Sequence, residues 1–352
     1  VPKKVVIATG GTGGHIFPAE GLGRDLLSQG VEVVFIGGGL SKNRYFRRDE
    51  FRYEEVPSSV LKGLGSLWTI GRGIAESLRL LREIAPDLIV GFGSFYTFPV
   101  LVAAQMRRRP IVLFEPNAIP GKVNRLFSRF AQFSAVQFPL ARQGMRGDVR
   151  VVDVPRGRGG LVDPARARDY FYLRPHRPTI LIFGGSQGSE AINRAVARAT
   201  QGLAREGEEF QVIHIAGTSA SAQALRDHYQ KMGIPSCVKA FEEKMDLAWS
   251  AADLVICRSG AVSVAEQIGF SVPAIFIPFP RAADNHQMAN AQFVESLGGA
   301  VVMPEKHLSA DGLQREIRRL LQGELPEMRR RLTEFQKGRE AKSLSRALAE
   351  FL

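Results

Sequence analysis

The sequence predicts an α/β protein built as two doubly wound, Rossmann-like domains facing across a cleft, and three observations carry that expectation. Short continuous apolar runs alternate with helix-length segments, the pattern of parallel strands covered on both faces. Two of these runs, "VVIATGGTGGH" from residue 5 and "TILIFGGSQGS" from residue 179, repeat one order of strand, glycine turn and helix. At 352 residues the chain also exceeds the usual length of one domain.

Taken in order, the first half offers strands at residues 5–8, 31–36, 88–92 and 111–114, and the second at 180–183, 210–215, 254–257 and 274–277. Residues 154–178, "VPRGRGGLVDPARARDYFYLRPHRP", are dense in Pro, Gly and Arg and read as the connection between halves. Open parallel sheets bind ligands beyond the carboxyl ends of their strands, so the motifs at those ends matter most.

Lysine and arginine outnumber acids by 47 to 35, a formal charge of +12 that favours a polyanionic partner: nucleic acid, anionic membrane or phosphorylated substrate. Two cysteines, Cys237 and Cys257, lack metal-ligand spacing and suit a reducing cytoplasm. No apolar run has the roughly 20 residues needed to cross a bilayer.

A side-chain-poor turn before a helix lets an anion approach unpaired N–H groups and the positive helix end. Both glycine turns meet that need. A dinucleotide site would want a third glycine at Ile16, and a P-loop would want a lysine that "GGSQGS" lacks, so both readings weaken. His15, at a helix start where imidazolium is disfavoured, reads either as a neutral base or as a cap of the turn. In "DLVICRSGAVSVAEQI", residues 253–268, Glu266 follows a strand end by about two helical turns, where it either accepts both hydroxyls of a ribose or is an exposed helical glutamate. Residues 278–291, "PFPRAADNHQMANA", crowd polar side chains suited to sugar hydroxyls, or to a loop capped by Asp284. No DxD or HExxH pattern occurs.

With "GGTGGHIFPA", "GGSQGS", "CRSGAVSVAE" and "DNHQMANA" in this order, the sequence resembles the MurG family, UDP-GlcNAc transferases that act on lipid I. The resemblance implies a GT-B fold: an acceptor- and membrane-facing domain, residues 1–155, with 337–352 packing back on it, and a UDP-GlcNAc-binding domain, 156–336. It implies inverting transfer of GlcNAc to the MurNAc 4-hydroxyl of lipid I, giving lipid II, with no metal or other cofactor and no nucleic-acid partner. It also implies peripheral attachment at the cytoplasmic face of the bacterial plasma membrane. His15 would be the base. Thr12, Gly13 and Gly14 would border the sugar and acceptor diphosphate. Ser186, Gln187 and Gly188 would meet the UDP phosphates, and Ala261, Val262, Ser263, Val264 and Ala265 would lie along the nucleotide. Glu266 would bind ribose, the backbone near Glu242 would read uracil, and Gln287 would touch GlcNAc. Asn117 and Arg156 join the donor side, and Asn124 the acceptor or membrane side.

The chain departs from the family's HEQN at "FEPN", residues 114–117, and from GNPVR at "DVPRGR", where Arg156 or Arg158 could face the phosphates. His286 replaces a glutamine, and "GSFYTFP" stands at residues 93–99. Within residues 58–84, the stretch from Leu61 to Ile70, which includes Leu64, Leu67 and Trp68 and has no clean helical period, reads as contact with an anionic membrane or the acceptor. A core helix is expected from about Ile74 onward. The basic run from Arg315 to Arg331 reads as a solvated helical face. Four alternatives stay open: a transferase with another lipid acceptor, a nucleotide-sugar-binding protein without chemistry, a basic nucleic-acid-binding protein, for which no aromatic-basic recognition motif is seen, and a UDP-sugar epimerase.

Overall fold

The computed structural model describes residues 3–60, 63–153, 160–185, 188–339 and 342–352, in two compact units, Val1–Gly157 with Glu340–Leu352, and Arg158–Arg339. The first unit runs β1 (Lys4–Ala8), α1 (Gly13–Ser28), β2 (Glu32–Gly37), β3 (Tyr53–Glu55), α2 (Leu64–Ile84), β4 (Leu88–Gly91), α3 (Phe98–Met106), β5 (Ile111–Glu115), α4 (Lys122–Phe127), β6 (Phe133–Val136) and β7 (Val149–Asp153). The second runs α5 (Pro164–Tyr170), β8 (Thr179–Phe183), α6 (Glu190–Arg205), β9 (Gln211–Ile215), α7 (Ser219–Lys231), β10 (Ser236–Lys239), α8 (Met245–Ala251), β11 (Leu254–Cys257), α9 (Ala261–Phe270), β12 (Ala274–Phe276), α10 (His286–Ser296), β13 (Ala300–Val302), α11 (Ala310–Arg319) and α12 (Leu325–Gly338). The chain then returns to the first unit as β14 (Lys342–Ser343) and α13 (Leu344–Leu348).

Both sheets are parallel throughout, in the orders β14-β7-β6-β5-β4-β1-β2-β3 and β10-β9-β8-β11-β12-β13. Strand alternation divides the first unit's core in two. Val5 and Ile7 of β1 pack with Ile16 and Leu22 of α1 and with Leu344 and Leu348 of α13. Val6 and Ala8, pointing the other way, pack with Leu80 of α2, Leu101 of α3 and Phe127 of α4. The second unit repeats the plan, with Ile180 and Ile182 against α6, α7 and α11.

Each of the eight expected strands forms. Six more, β3, β6, β7, β10, β13 and β14, are short or mixed in polarity, as in "YEE" and "SCVK". Residues 337–339, placed above with the return segment, belong instead to the second unit, because α12 continues unbroken through Gly338. The boundary expected at residues 155 and 156 lies outside the described residues. The basic run is solvated in part, on two helices separated at Gly323: Arg319 pairs with Glu316 and Glu324, Arg330 with Glu327 and Glu334, and Arg331 with Glu327, whereas Arg329 turns inward to the Ala252 carbonyl at 3.3 Å and to Asp253.

The return segment is integral to the first unit's core, and Leu348 is fully buried there. Leu348→Ala is expected to cost about 2–5 kcal/mol in chemical denaturation of that unit, with the second unit's transition unmoved.

Candidate functional site

In the second sheet β9 and β10 extend from β8 in one direction, and β11 to β13 in the other. The order therefore reverses between β8 and β11, and ligands of open α/β sheets lie beyond the strand ends at such a point. The glycine turn follows β8, and the Ser-Gly turn follows β11. Gly188 has φ +73, and a Cβ there would sit 2.6 Å from the Ala216 carbonyl, so geometry and space both require glycine. Ser189 then caps α6, its hydroxyl accepting from Ile192 N–H.

A buried arginine missing from the expected site residues ties these loops together. Arg258, 8% exposed, donates to Ser189 Oγ at 2.8 Å and to the Ile277 and Pro278 carbonyls at 3.0 and 3.2 Å, and pairs with Glu305. Beside it, Ser259 Oγ donates to the Gln287 carbonyl at 2.8 Å, and Asn290 Nδ2 donates to the Ser259 carbonyl at 3.1 Å. The ends of β8, β11 and β12 thus form one connected cluster.

The expected donor residues fall around it. Ala261 and Val264 turn their side chains into the core, while Val262, Ser263 and Ala265 are half-buried on α9, which starts at Gly260 without a side-chain cap. Gln287 opens α10, its Oε1 accepting from Phe279 N–H at 2.9 Å. Just before it, Asp284 and Asn285 both adopt left-handed φ, at +49 and +54. Such strain is uncommon, and these two residue types tolerate it best. Glu242 is buried, accepting from Lys239 Nζ at 2.5 Å and from Lys244 N–H at 2.8 Å. Glu266 is half-buried and not the exposed helical glutamate of the alternative reading: Trp249 Nε1 donates to its Oε2 at 3.0 Å. Burial pushes its carboxyl up to about 7, opposed by the Trp249 hydrogen bond and reinforced by the nearby Asp246 charge. Ser186, Gln187, Arg156 and Arg158 lie outside the described residues.

The first sheet reverses its order between β1 and β4. There the glycine turn is clamped by neutral groups. A Cβ on Gly10 would meet Tyr96 Cβ at 2.7 Å, and Asn43 Nδ2 donates to the Gly11 carbonyl at 2.7 Å. Thr12, exposed, is the N-cap of α1; Gly13 and Gly14 open it, and half-buried His15 sits in its first turn, with its N–H on the Thr12 carbonyl at 3.0 Å.

Two expectations need correction. Asn124, expected on the acceptor or membrane side, is 1% exposed and donates to Glu115 Oε2 at 2.9 Å and to the Phe114 carbonyl at 3.0 Å, so it braces the loop after β5, and of the two alternatives burial removes the membrane one. Glu115, pushed up by burial, also accepts from Gly121 N–H and from the N–H and side chain of Asn117. The stretch before Ile74 is helical from Leu64, within α2, and Ile70 is buried, because the helix turns it onto the core. Leu67 and Trp68 stay 55% and 66% exposed. The side chain of Leu64 lies outside the described ones. Among the described residues no group of three His, Cys, Asp or Glu side chains could hold a metal.

Comparison with known proteins adds two family models, the glycosyltransferase family 28 N-terminal domain over residues 5–136 and its C-terminal domain over 179–345. A UDP-N-acetylglucosamine–N-acetylmuramyl-(pentapeptide) pyrophosphoryl-undecaprenol N-acetylglucosamine transferase of Protochlamydia amoebophila is 41% identical over 86% of this chain and 84% of its own. The protein of the same name from Chlamydia muridarum is 33% identical over 99% of each. The crystal structure of Acinetobacter baumannii MurG matches with a TM-score of 0.80 and 26% identity over 99% of each chain.

Two consequences are measurable. Gly188→Ala should destabilise the second unit by about 1–3 kcal/mol in denaturant titration, whereas Gly185→Ala, at φ +88 with open space around it, should cost nearer 1 kcal/mol. A carboxyl raised above its unfolded value contributes stability below the unfolded pKa and loses it as pH rises through the folded one. Glu266→Gln should therefore raise Tm at pH 8, with the gain shrinking toward pH 5.

Proposed function

We infer that this chain, which belongs to the MurG family of family 28 glycosyltransferases, moves GlcNAc from UDP-GlcNAc to the MurNAc 4-hydroxyl of lipid I and so forms lipid II in peptidoglycan synthesis. The observation that carries this is the 41% identity to a transferase of that name, spread over 86% of the chain. Its fold class is that of the GT-B enzymes, two Rossmann-like domains.

On this reading the second unit holds the donor. The diphosphate meets the turn before α6, where the helix end offers partial positive charge. The α9 N-terminus lies along the nucleotide, the backbone near Glu242 reads uracil, Gln287 meets the sugar, and Glu266 accepts the ribose hydroxyls. In the first unit, Thr12, Gly13 and Gly14 border the sugar and the acceptor diphosphate, and Asn117 adds a donor contact. His15 takes the proton of the acceptor hydroxyl as its oxygen attacks the anomeric carbon. The bond from that carbon to the UDP oxygen breaks with inversion, and the departing charge is stabilised by the α6 end. The residues named need no bound cofactor for these roles.

A lipid-linked acceptor calls for a peripheral position at the cytoplasmic face of the plasma membrane. The first unit supports it. Helices α2, α3 and α4 cover one face of the sheet. From that layer Leu67, Trp68, Met106, Leu126 and nearby Phe130 are exposed, with Arg72 stacked 4.9 Å from the Trp68 ring and Arg129 stacked on Phe130. Residues 116–147 carry Lys122, Arg125, Arg129, Arg142 and Arg146 and no acid. Apolar tips among cations suit an anionic interface. No described helix is long and apolar enough to cross the membrane.

The test is product identification by mass with UDP-GlcNAc and a lipid I analogue. Wild type should give the acceptor-dependent disaccharide. His15→Ala should lose about 10²–10⁴-fold in turnover while still binding UDP; donor binding without disaccharide in wild type would defeat the assignment. Leu67→Glu with Trp68→Glu should weaken sedimentation with phosphatidylglycerol vesicles while turnover of a water-soluble acceptor stays intact.

A further inference from the structure

The Trp249 indole is fully buried, and two rings hold its orientation. Phe183, the last residue of β8, meets it edge-on at 5.6 Å and 84°, and Phe270, the last residue of α9, stacks on it at 6.2 Å and 14°. A buried indole N–H needs an acceptor, and the fixed ring gives this one a single direction. It points at Glu266 Oε2, 3.0 Å away. Among the described residues no cation pairs with Glu266, and its Oε1 accepts no hydrogen bond. The charged and titratable groups that face the carboxylate are Asp246 of α8, which repels its ionised form, and the Cys257 thiol of β11.

We propose that Trp249 is a positioning residue for the donor: its N–H holds one oxygen of Glu266 and leaves the other turned to the ribose hydroxyls. This rests on the reading of Glu266 as the ribose acceptor. A neutral donor suits the task. An arginine or lysine would occupy the carboxylate and compete with the sugar, whereas one N–H fixes the rotamer and leaves acceptor capacity unused. Without it, a desolvated carboxylate beside Asp246 has no partner to fix its direction or favour its charge.

The experiment titrates UDP and 2′,3′-dideoxy-UDP calorimetrically into the full chain as wild type, Trp249→Phe, Glu266→Gln and the double variant. Loss of a hydrogen bond to a charged group should weaken UDP binding about tenfold in Trp249→Phe. Binding of 2′,3′-dideoxy-UDP should fall much less, and Trp249→Phe should add less than about twofold once Glu266 is Gln, since the pair acts as a unit. Equal losses for both nucleotides, or the same loss in the Glu266→Gln background, would show a packing role and overturn the proposal. Wild-type UDP affinity in Glu266→Gln would instead defeat the ribose reading on which it rests. Replacing Trp249 by benzothienylalanine, which keeps the ring and removes the N–H, should reproduce the Trp249→Phe pattern if the hydrogen bond matters. Unchanged UDP affinity there would overturn the proposal even if the phenylalanine variant folds poorly.

Discussion

One buried charge organises the second unit's ligand-facing edge. A guanidinium taken out of water is costly unless its donors and charge are matched, and Arg258 finds those matches on three different segments. Ser189 lies at the end of the glycine turn after β8, Ile277 and Pro278 end the run through β12, and Glu305 follows β13. Because one side chain satisfies all of them, the turn after β8 and the loop after β12 share a common anchor. Disturbing any partner leaves part of a buried charge unmatched, which makes the cluster rigid where a diphosphate would need fixed N–H groups.

The first unit braces its loops with other groups. Its glycine turn is clamped by a ring and an amide, Tyr96 and Asn43, while the loop after β5 is gathered by the buried Glu115 carboxyl and its four donors. The same strand, turn and helix plan is therefore braced in two ways. The turn after β8 leads into α6, capped by Ser189, and the turn after β1 leaves His15 in the first turn of α1.

Much of this was legible in the sequence because central parallel strands are buried on both faces and read as unbroken apolar runs. The strands β3, β10 and β14 were not, since edge positions tolerate "YEE", "SCVK" and "KS". Arg258 stood inside a motif in plain view, yet nothing local distinguishes a strand-end arginine that folds inward from one in water; its partners come from 69 residues before it, from about 20 after it, and from Glu305 beyond β13. Asn124 was placed only by the family resemblance, and the fold shows its amide donating to Glu115. Trp249 reads as core by composition, and its N–H acquires meaning only from Glu266 on another helix.

The donor reading requires UDP to bind at the reversal point between β8 and β11. Hydrogen–deuterium exchange with and without UDP tests this directly. Slowed exchange in the turn between β8 and α6, the first turn of α9 and the start of α10, with the first unit unchanged, is the predicted result. Protection confined to the glycine turn before α1, or absent from all three segments at saturating UDP, would contradict it.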